Sequence, residues 1–361
     1  MPQIQNPFGV YGVDYVEIYV SNCRQAAYYY RTALGFTMIG QVAQDDAGGR
    51  RSIALQQGDI RLILTSPITP SSEVAEHIYR HGEGIKDVAL AVTDAERVFD
   101  HAVAAGASPL AFPTTRQLPR ATIRTAKIGT CGNLVHTLVE RPAGSIYEWP
   151  GVVTGRPRGT PNTGLVDIDH LALAVGAGEL EPHVDFYISA LGFEETHQEN
   201  VTTEYSAMRS KVVQSPNGRV RFPIMEPAPG RRRSQIDSYV NAHQGPGVQH
   251  LALRSNDIVS SVAMLADVID FLPTPDAYFD SLPARVGDLA GELKALRHYG
   301  ILADRDATGL LLQVFTKPIG ARPTLFLEVI ERRGAEGFGG GNIKALFEAV
   351  ERAEETAAVP S

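Results

Sequence analysis

The sequence predicts an α+β protein built from two duplicated halves, and three observations carry that reading. Stretches in which apolar side chains alternate with a period of two, the signature of strands, recur along the 361 residues. Between them lie segments with helical spacing, and two of these end in Ala-Leu-Gly-Phe, whose glycine suits a helix C-terminus. Four pairs of segments also return in the same order, the mark of an internal duplication.

The first pair is VDYVEIYVSNCRQAAYYYRTALGF (Val13–Phe36) and IDHLALAVGAGELEPHVDFYISALGF (Ile168–Phe193). Each copy reads as an alternating strand, a loop and a helix. GDIRLILTSP (Gly58–Pro67) then matches GRVRFPIMEP (Gly218–Pro227), and HGEGIKDVALAVTD (His81–Asp94) matches HQGPGVQHLALRSND (His243–Asp257). LVHTLVER (Leu134–Arg141) matches LFLEVIER (Leu325–Arg332). The expected domains are residues 1–150 and 165–361, joined by the Pro/Gly-rich segment Arg141–Gly164. Residues 271–300 form an insertion confined to the second half.

The last element is TLFLEVIERRGAEGFGGGNIKALFEAV (Thr324–Val350). Phe326, Glu328 and Ile330 share one face of a strand, with Leu325, Leu327 and Val329 on the other. Glu328 is thus a carboxylate in an otherwise apolar strand, and it needs a cation or a proton. An arginine such as Arg322 or Arg332 would serve, and so would a metal ion. Beyond GFGGGN, Ile343, Leu346, Phe347 and Val350 repeat at helical spacing, with Asn342 placed as the cap. A buried acid, a glycine-rich hinge and a returning helix together predict a site under a lid.

Composition excludes several function classes. The balance of 33 basic against 41 acidic residues, net −8, argues against nucleic acid or an anionic membrane as the main partner. Two cysteines, Cys23 and Cys131, are too few for a disulfide framework or a cysteine zinc site. No run has the length of a signal peptide core or a membrane span. The expectation is a cytoplasmic protein; whether it forms a homo-oligomer is left open.

Aligning the halves turns the repeat into a functional argument. His170 stands opposite Tyr15, His250 opposite Asp87 and Glu328 opposite Thr137. A single strand histidine is usually structural. Three ligand-type residues at equivalent positions of one half, absent from its sister, point to a metal. The remaining histidines, His136 and His183 among them, make no such set and read as structural or surface residues. Two histidines and one carboxylate occupy one face of an octahedral ion and leave three positions open, as in non-haem iron(II) oxygenases. Zinc with these ligands is the alternative, although such sites favour close spacing like H-E-x-x-H.

With these residues in hand, the chain resembles the 4-hydroxyphenylpyruvate dioxygenase family of the vicinal oxygen chelate superfamily. The matching pieces are DIDHLAL, FPIMEP, SQIDSYV, GPGVQHLAL, ILADRD, LLLQVFTKP, RPTLFLEVIER and GFGGGNIKALFEAVE. The resemblance implies paired, glyoxalase-like βαβββ modules in two open-barrel domains, the first lacking metal ligands. It implies one Fe(2+) per chain on His170, His250 and Glu328, with 4-hydroxyphenylpyruvate and O2 as substrates. It places substrate contacts at Ser210, Met225, Gln235, Gln249, Gln313, Phe315, Phe326, Phe338, Asn342 and Ile343, with Ile343, Gln313 and Phe338 closest to the chemistry. Strand parity supports Gln313 with Phe315, and Phe326 with Glu328, each as a pair facing one cavity. Gln249, next to His250, should by ideal alternation face the other way. Arg231–Arg233 reads as a solvated loop.

Two departures bear on the product. Where homogentisate-forming members read GNFKALFEAI, this chain has Ile343 for the aromatic; where they read FPINEP, it has Met225 for the amide. An isoleucine at the first position is characteristic of the branch that makes 4-hydroxymandelate. Both branches decarboxylate the 2-oxoacid oxidatively; one then hydroxylates the ring and the other the benzylic carbon. The expected product is therefore 4-hydroxymandelate and CO2, in the context of antibiotic biosynthesis, with homogentisate as the alternative. A non-catalytic binding protein of the same superfamily is a second alternative, against which the intact ligand set speaks.

Overall fold

The computed structural model of the chain describes residues 9–42, 49–118, 121–142, 147–148, 152–158, 162–287, 289 and 291–348. The first half runs β1 (Val10–Tyr19), α1 (Cys23–Thr32), β2 (Thr37–Val42), β3 (Arg50–Gln57), β4 (Ile60–Pro67), α2 (Glu73–His81), β5 (Gly84–Val92), α3 (Ala95–Ala104), β6 (Ser108–Gln117), β7 (Thr122–Gly129) and β8 (Val135–Glu140). The joining segment contributes β9 (Val152–Arg158). The second half begins with β10 (Leu165–Ala174), α4 (Leu180–Leu191), β11 (Glu194–Thr202), β12 (Ala207–Gln214), β13 (Arg221–Ala228), α5 (Gln235–His243) and β14 (Gly247–Ser255). It continues with α6 (Ile258–Leu265), α7 (Asp276–Val286), α8 (Leu293–Tyr299), β15 (Leu302–Arg305), β16 (Leu310–Phe315) and β17 (Phe326–Arg333). A helix over residues 340–348, α9, follows.

The strands form two mixed sheets, ordered β6-β7-β8-β5-β1-β4-β3-β2-β9 and β11-β12-β13-β10-β14-β17-β16-β15. Each half holds two βαβββ modules, which meet where their first strands pair antiparallel, β1 with β5 and β10 with β14. In every module the last strand returns parallel to the first. The fold is the duplicated α+β arrangement that the sequence predicts. Within the joining segment, β9 pairs antiparallel with β2 and extends the first sheet.

One apolar core runs through both halves, and α1, α3, α4 and α6 contribute Tyr30, Phe99, Tyr187 and Leu265 to it. Strand β17 divides as its alternation requires. Leu325, Leu327 and Val329 join this core, while Phe326 and Ile330 enter separate small clusters on the opposite face. Buried His136 is structural, held between the Val88 carbonyl and the Tyr187 hydroxyl. Cys23 and Cys131 are both buried and free. No helix among the described residues is long and apolar enough to cross a membrane.

Three irregularities of β pairing recur in both halves, and two of them bear on the site. Asp14 and Asp169 are each the extra residue of a β-bulge in the first strand of their half, and Lys86 and Gln249 occupy the same place in β5 and β14. A bulge puts two successive side chains on one face and breaks the two-residue parity there. The bulged aspartates each take a two-point grip from the arginine that ends the half: Arg141 on Asp14 at 2.7 and 3.0 Å, Arg332 on Asp169 at 2.7 and 2.8 Å.

The halves also meet at repeat-equivalent histidines, His81 and His243, whose rings lie 4.9 Å apart. His77 extends the stack at 4.8 Å from His81, and its buried Nε2 has no hydrogen-bond partner among the described residues. His81 donates from Nδ1 to the His243 carbonyl at 2.7 Å and accepts from Asn133. Burial, with Lys86 and the other rings nearby, lowers the His77 pKa to about 3, and burial lowers that of His243 to about 4. Groups with depressed folded pKa values stabilise the fold fully above the unfolded value near 6.5, and that stability is lost as pH falls towards 3 or 4. His77→Phe keeps the ring and removes the unpartnered nitrogen. It is expected to recover on the order of 2 kcal/mol of unfolding free energy at pH 5 relative to wild type, with little change at pH 8. Urea unfolding at the two pH values measures this; an equal change at both would show that titration of His77 is not the cause.

Candidate metal centre and pocket

His170 on β10, His250 on β14 and Glu328 on β17 converge as the repeat argument requires. Their ligand atoms lie within 4.8 Å of one another, and all three residues are buried. Glu328 Oε2 is 3.3 Å from His170 Nε2 and 3.5 Å from His250 Nε2. Sheet register explains the convergence. Glu328 lies opposite Ala252 in the parallel β14–β17 ladder, two residues past His250, while Ala252 is itself opposite His170 across β10–β14. By the same register the fourth symmetric position is Pro223 on β13, which borders the cavity and has no side-chain donor. The site is therefore closed by ligands on three sides and open on the fourth. Neither arginine raised as a partner reaches Glu328. Arg332 grips Asp169, and Arg322 donates to the backbone carbonyls of Tyr79 and Arg80.

The bulges set the orientation of both imidazoles. Asp169 Oδ1 accepts from His170 Nδ1 at 2.8 Å, and Gln249 Oε1 accepts from His250 Nδ1 at 3.3 Å. Each ring therefore carries its proton on Nδ1 and turns Nε2 towards Glu328, the arrangement a ligating histidine needs. The bulge at Gln249 is also why its side chain shares a face with His250, against the expectation from ideal alternation. Burial opposes a charge on His170, but Glu328 and Asp169 outweigh it and raise its pKa. Burial and nearby His170 push the pKa of His250 well below the ordinary value. Burial also works against the Asp169 charge, yet hydrogen bonds from His170 and Arg332 hold that carboxyl well below the usual range. Two oriented neutral nitrogens and one carboxylate oxygen fit iron(II) with open positions.

Beside the triad lies a cavity of about 280 Å³. Ser210, Met225, Gln235, Gln249, Gln313, Phe315, Phe338 and Ile343 line it. Phe326 and Asn342 stand one layer behind. Phe326 stacks on the His250 ring at 4.9 Å, and Asn342 donates to Gln313 Oε1 at 2.9 Å. Asn342 is not the helix cap either. Helix α9 begins at 340, and the Asp304 carboxylate accepts from the Gly341 amide at 2.9 Å. His197, read with the surface histidines, lines the cavity and meets Phe338 edge to face at 5.6 Å. Arg231–Arg233 is exposed, as a solvated loop should be.

Helix α9 covers the cavity through Ile343, Leu346 and Phe347. Gly339 has φ +70°, and a Cβ at Gly340 would run into Glu199. These two glycines let the chain turn tightly over the opening. Asp306 accepts from the amides of Glu336 and Gly337, and Arg332 donates to the carbonyls of Ala335 and Gly337, so the stem of the lid is anchored to the clamp behind His170.

In the first half the equivalent positions hold no comparable donor set. Asp87 accepts from the Thr137 amide at 2.9 Å and from its hydroxyl, and Lys127 Nζ lies 3.3 Å away. At the counterpart of His250 the buried carboxylate is thus paired with a lysine ammonium. Sequence reading missed Asp169 and Arg332 as supports of the site. Their signal was present in the repeat as Asp14 with Arg141.

Comparison with known proteins bears on the family and the fold. Residues 4–149 match the family model described as hydroxyphenylpyruvate dioxygenase, N-terminal, and residues 167–279 match that of the glyoxalase/bleomycin resistance protein/dioxygenase superfamily. A 4-hydroxyphenylpyruvate dioxygenase of Neurospora crassa is 38% identical, covering 94% of this chain and 91% of the relative. That of Dictyostelium discoideum is 36% identical, covering 96% and 98%. Among solved structures, a triple-substituted variant of 4-hydroxymandelate synthase from Streptomyces coelicolor is 36% identical, with a TM-score of 0.84 over 96% of this chain and 99% of that one. The chain belongs to the 4-hydroxyphenylpyruvate dioxygenase family.

Proposed function

We propose that the protein uses iron(II) on His170, His250 and Glu328 to oxidise 4-hydroxyphenylpyruvate with O2, releasing CO2 and a hydroxylated arylacetate. The observation that carries this reading is the oriented three-ligand face with one side open onto an aromatic-lined cavity. Iron(II), when bound, supplies open coordination positions and the redox chemistry by which dioxygen oxidises a 2-oxoacid. The chain's own residues do the rest. Asp169 and Gln249 hold the two rings; Phe315 and Phe338 border the space for an aromatic ring. Gln235, buried at the mouth of α5, and Ser210 offer polar contacts on the cavity wall. The α9 lid excludes water from the reacting groups.

The names of the curated relatives support ring hydroxylation, with homogentisate as product. A second reading, benzylic hydroxylation to 4-hydroxymandelate, is favoured by a specific feature of the wall. Ile343 packs with Met208, Met225 and Phe347, where homogentisate-forming members have an aromatic and an amide. The solved structure of a hydroxymandelate synthase variant lies on the same side. Product analysis by chromatography after incubation with iron(II), O2 and 4-hydroxyphenylpyruvate decides between them.

One iron is expected per chain, and His170→Ala, His250→Ala or Glu328→Ala should each abolish oxygen uptake while leaving the far-ultraviolet circular dichroism unchanged. Asp169→Asn should weaken iron binding by roughly 10- to 100-fold. Two irons per chain, or a triad variant with normal oxygen uptake, would refute the assignment. If wild type makes 4-hydroxymandelate, Ile343→Phe should shift the products towards ring-oxidised compounds while decarboxylation continues. Overpacking should cost about 1 to 3 kcal/mol of stability, which lowers all products together and leaves their ratio alone. An unchanged ratio would remove Ile343 as the selector.

A further inference from the structure

The insertion at residues 271–300 has no counterpart in the first half, and the reaction as described makes no use of it. It supplies α7, and from α7 the Tyr278 side chain reaches towards the metal centre. Tyr278 donates from its hydroxyl to Asn342 Oδ1 at 2.8 Å. Asn342 Nδ2 donates to Gln313 Oε1 at 2.9 Å, and Gln313 Nε2 donates to Glu328 Oε1 at 2.9 Å. At the far end the Ala303 amide donates to the Tyr278 oxygen at 2.9 Å. We infer that Tyr278, Asn342 and Gln313 are positioning residues that fix the outer oxygen of Glu328 and make iron affinity depend on the seating of the α9 lid.

Chemistry forces the direction of this chain. A carboxylate only accepts, so Gln313 must turn its NH₂ to Glu328 and leave its oxygen for Asn342. Asn342 must then present its NH₂ to Gln313 and its oxygen to a donor, which the tyrosine hydroxyl supplies. The hydroxyl also lies 2.9 Å from the Ala303 carbonyl, but its single proton can satisfy one acceptor, and Asn342 Oδ1 has no other donor among the described residues. Every link points its positive end at Glu328. Gln313, Asn342 and Glu328 are 2%, 0% and 1% exposed, so water cannot replace a lost link at low cost.

The links come from four separate elements, α7, α9, β16 and β17. Asn342 belongs to the lid, so lifting α9 withdraws the middle of the chain. Gln313 then loses its orienting donor and Glu328 its fixed rotamer. Glu328 Oε1 is the oxygen turned away from the histidines, and holding it leaves Oε2 as the single oxygen facing Nε2 of both rings. By linkage, anything that favours the seated lid tightens the metal site, and metal tightens the lid to the same degree. The first half lacks the triad and the insertion together. Its counterpart of Glu328, Thr137, is held directly by Asp87 and requires no such chain.

This inference rests on the iron(II) reading, and the test separates the two. Full-length wild type and Tyr278→Phe are titrated anaerobically with iron(II) by equilibrium dialysis. Amide hydrogen exchange over residues 341–348 is followed with and without the metal. In wild type, iron is expected to slow exchange in α9. In Tyr278→Phe, affinity should fall about tenfold and the metal-dependent slowing should disappear. Wild type that binds no iron defeats the metal reading and this inference with it. Wild type that binds iron, beside a Tyr278→Phe protein with unchanged affinity and unchanged slowing, overturns the inference alone. Asn342→Leu breaks the same chain from the lid side and serves if Tyr278→Phe does not fold. The double variant should lose no more affinity than the worse single variant, because both cut one chain; additive losses would overturn the inference.

Discussion

A carboxylate buried between two imidazoles is the constraint to which the second half is built. Glu328 is 1% exposed and sits where desolvation penalises its charge heavily. The carboxylates of Glu328 and Asp169 outweigh burial and raise the pKa of His170, while burial, with His170 beside it, lowers that of His250. A divalent cation resolves the same problem better, because it satisfies one carboxylate and two neutral nitrogens at once. The surrounding groups are arranged for the second solution. Asp169 and Gln249 occupy the Nδ1 atoms, Gln313 occupies the outer carboxylate oxygen, and only the inward-facing donors remain.

Duplication shows which parts of that arrangement are scaffold and which are chemistry. The bulged aspartate and its arginine occur in both halves, Asp14 with Arg141 and Asp169 with Arg332. A feature kept where no metal ligands exist is a device of the fold: it ties the first strand of a half to its last. In the second half the same clamp has acquired a further task, because the residue after the aspartate is His170. The first half has Tyr15 there and neutralises Asp87 internally with Lys127. One half thus pairs its buried carboxylate with a lysine of its own chain, and the other leaves the place for an ion.

Much of this was legible in sequence where periodicity is unbroken. On β17 the alternation holds, so Glu328 was readable as an inward carboxylate and Leu325, Leu327 and Val329 as core. Gln249 was not readable, because a bulge one residue from His250 reverses parity and leaves no mark in residue type. Asn342 looked like a cap because asparagine after glycines usually is one; the cap function falls to Asp304, which is distant in sequence. Phe326 was correctly placed on the Glu328 face, yet it is spent on supporting the His250 ring. Tyr278 was invisible for another reason. Its role exists only through Asn342 and Gln313, and no spacing rule connects three side chains drawn from a helix, a lid and a strand.

The division between metal shell and cavity wall also locates where the product must be decided. In the proposed reading the three ligands and their supports act on the 2-oxoacid and set whether the reaction occurs. The aryl ring of that reading lies against the wall, where this chain departs from the homogentisate-forming pattern at Ile343 and Met225, while its triad is intact. The two residues lie in one apolar cluster with Met208 and Phe347, so they act as one surface rather than as independent contacts. A tenfold preference between ring and benzylic attack needs only about 1.4 kcal/mol. Displacing an aromatic ring within a packed wall carries energies of that size. Overall likeness to relatives is spread over the whole chain and is dominated by the scaffold, so it bears on the shared step. The branch rests on the few side chains that meet the ring.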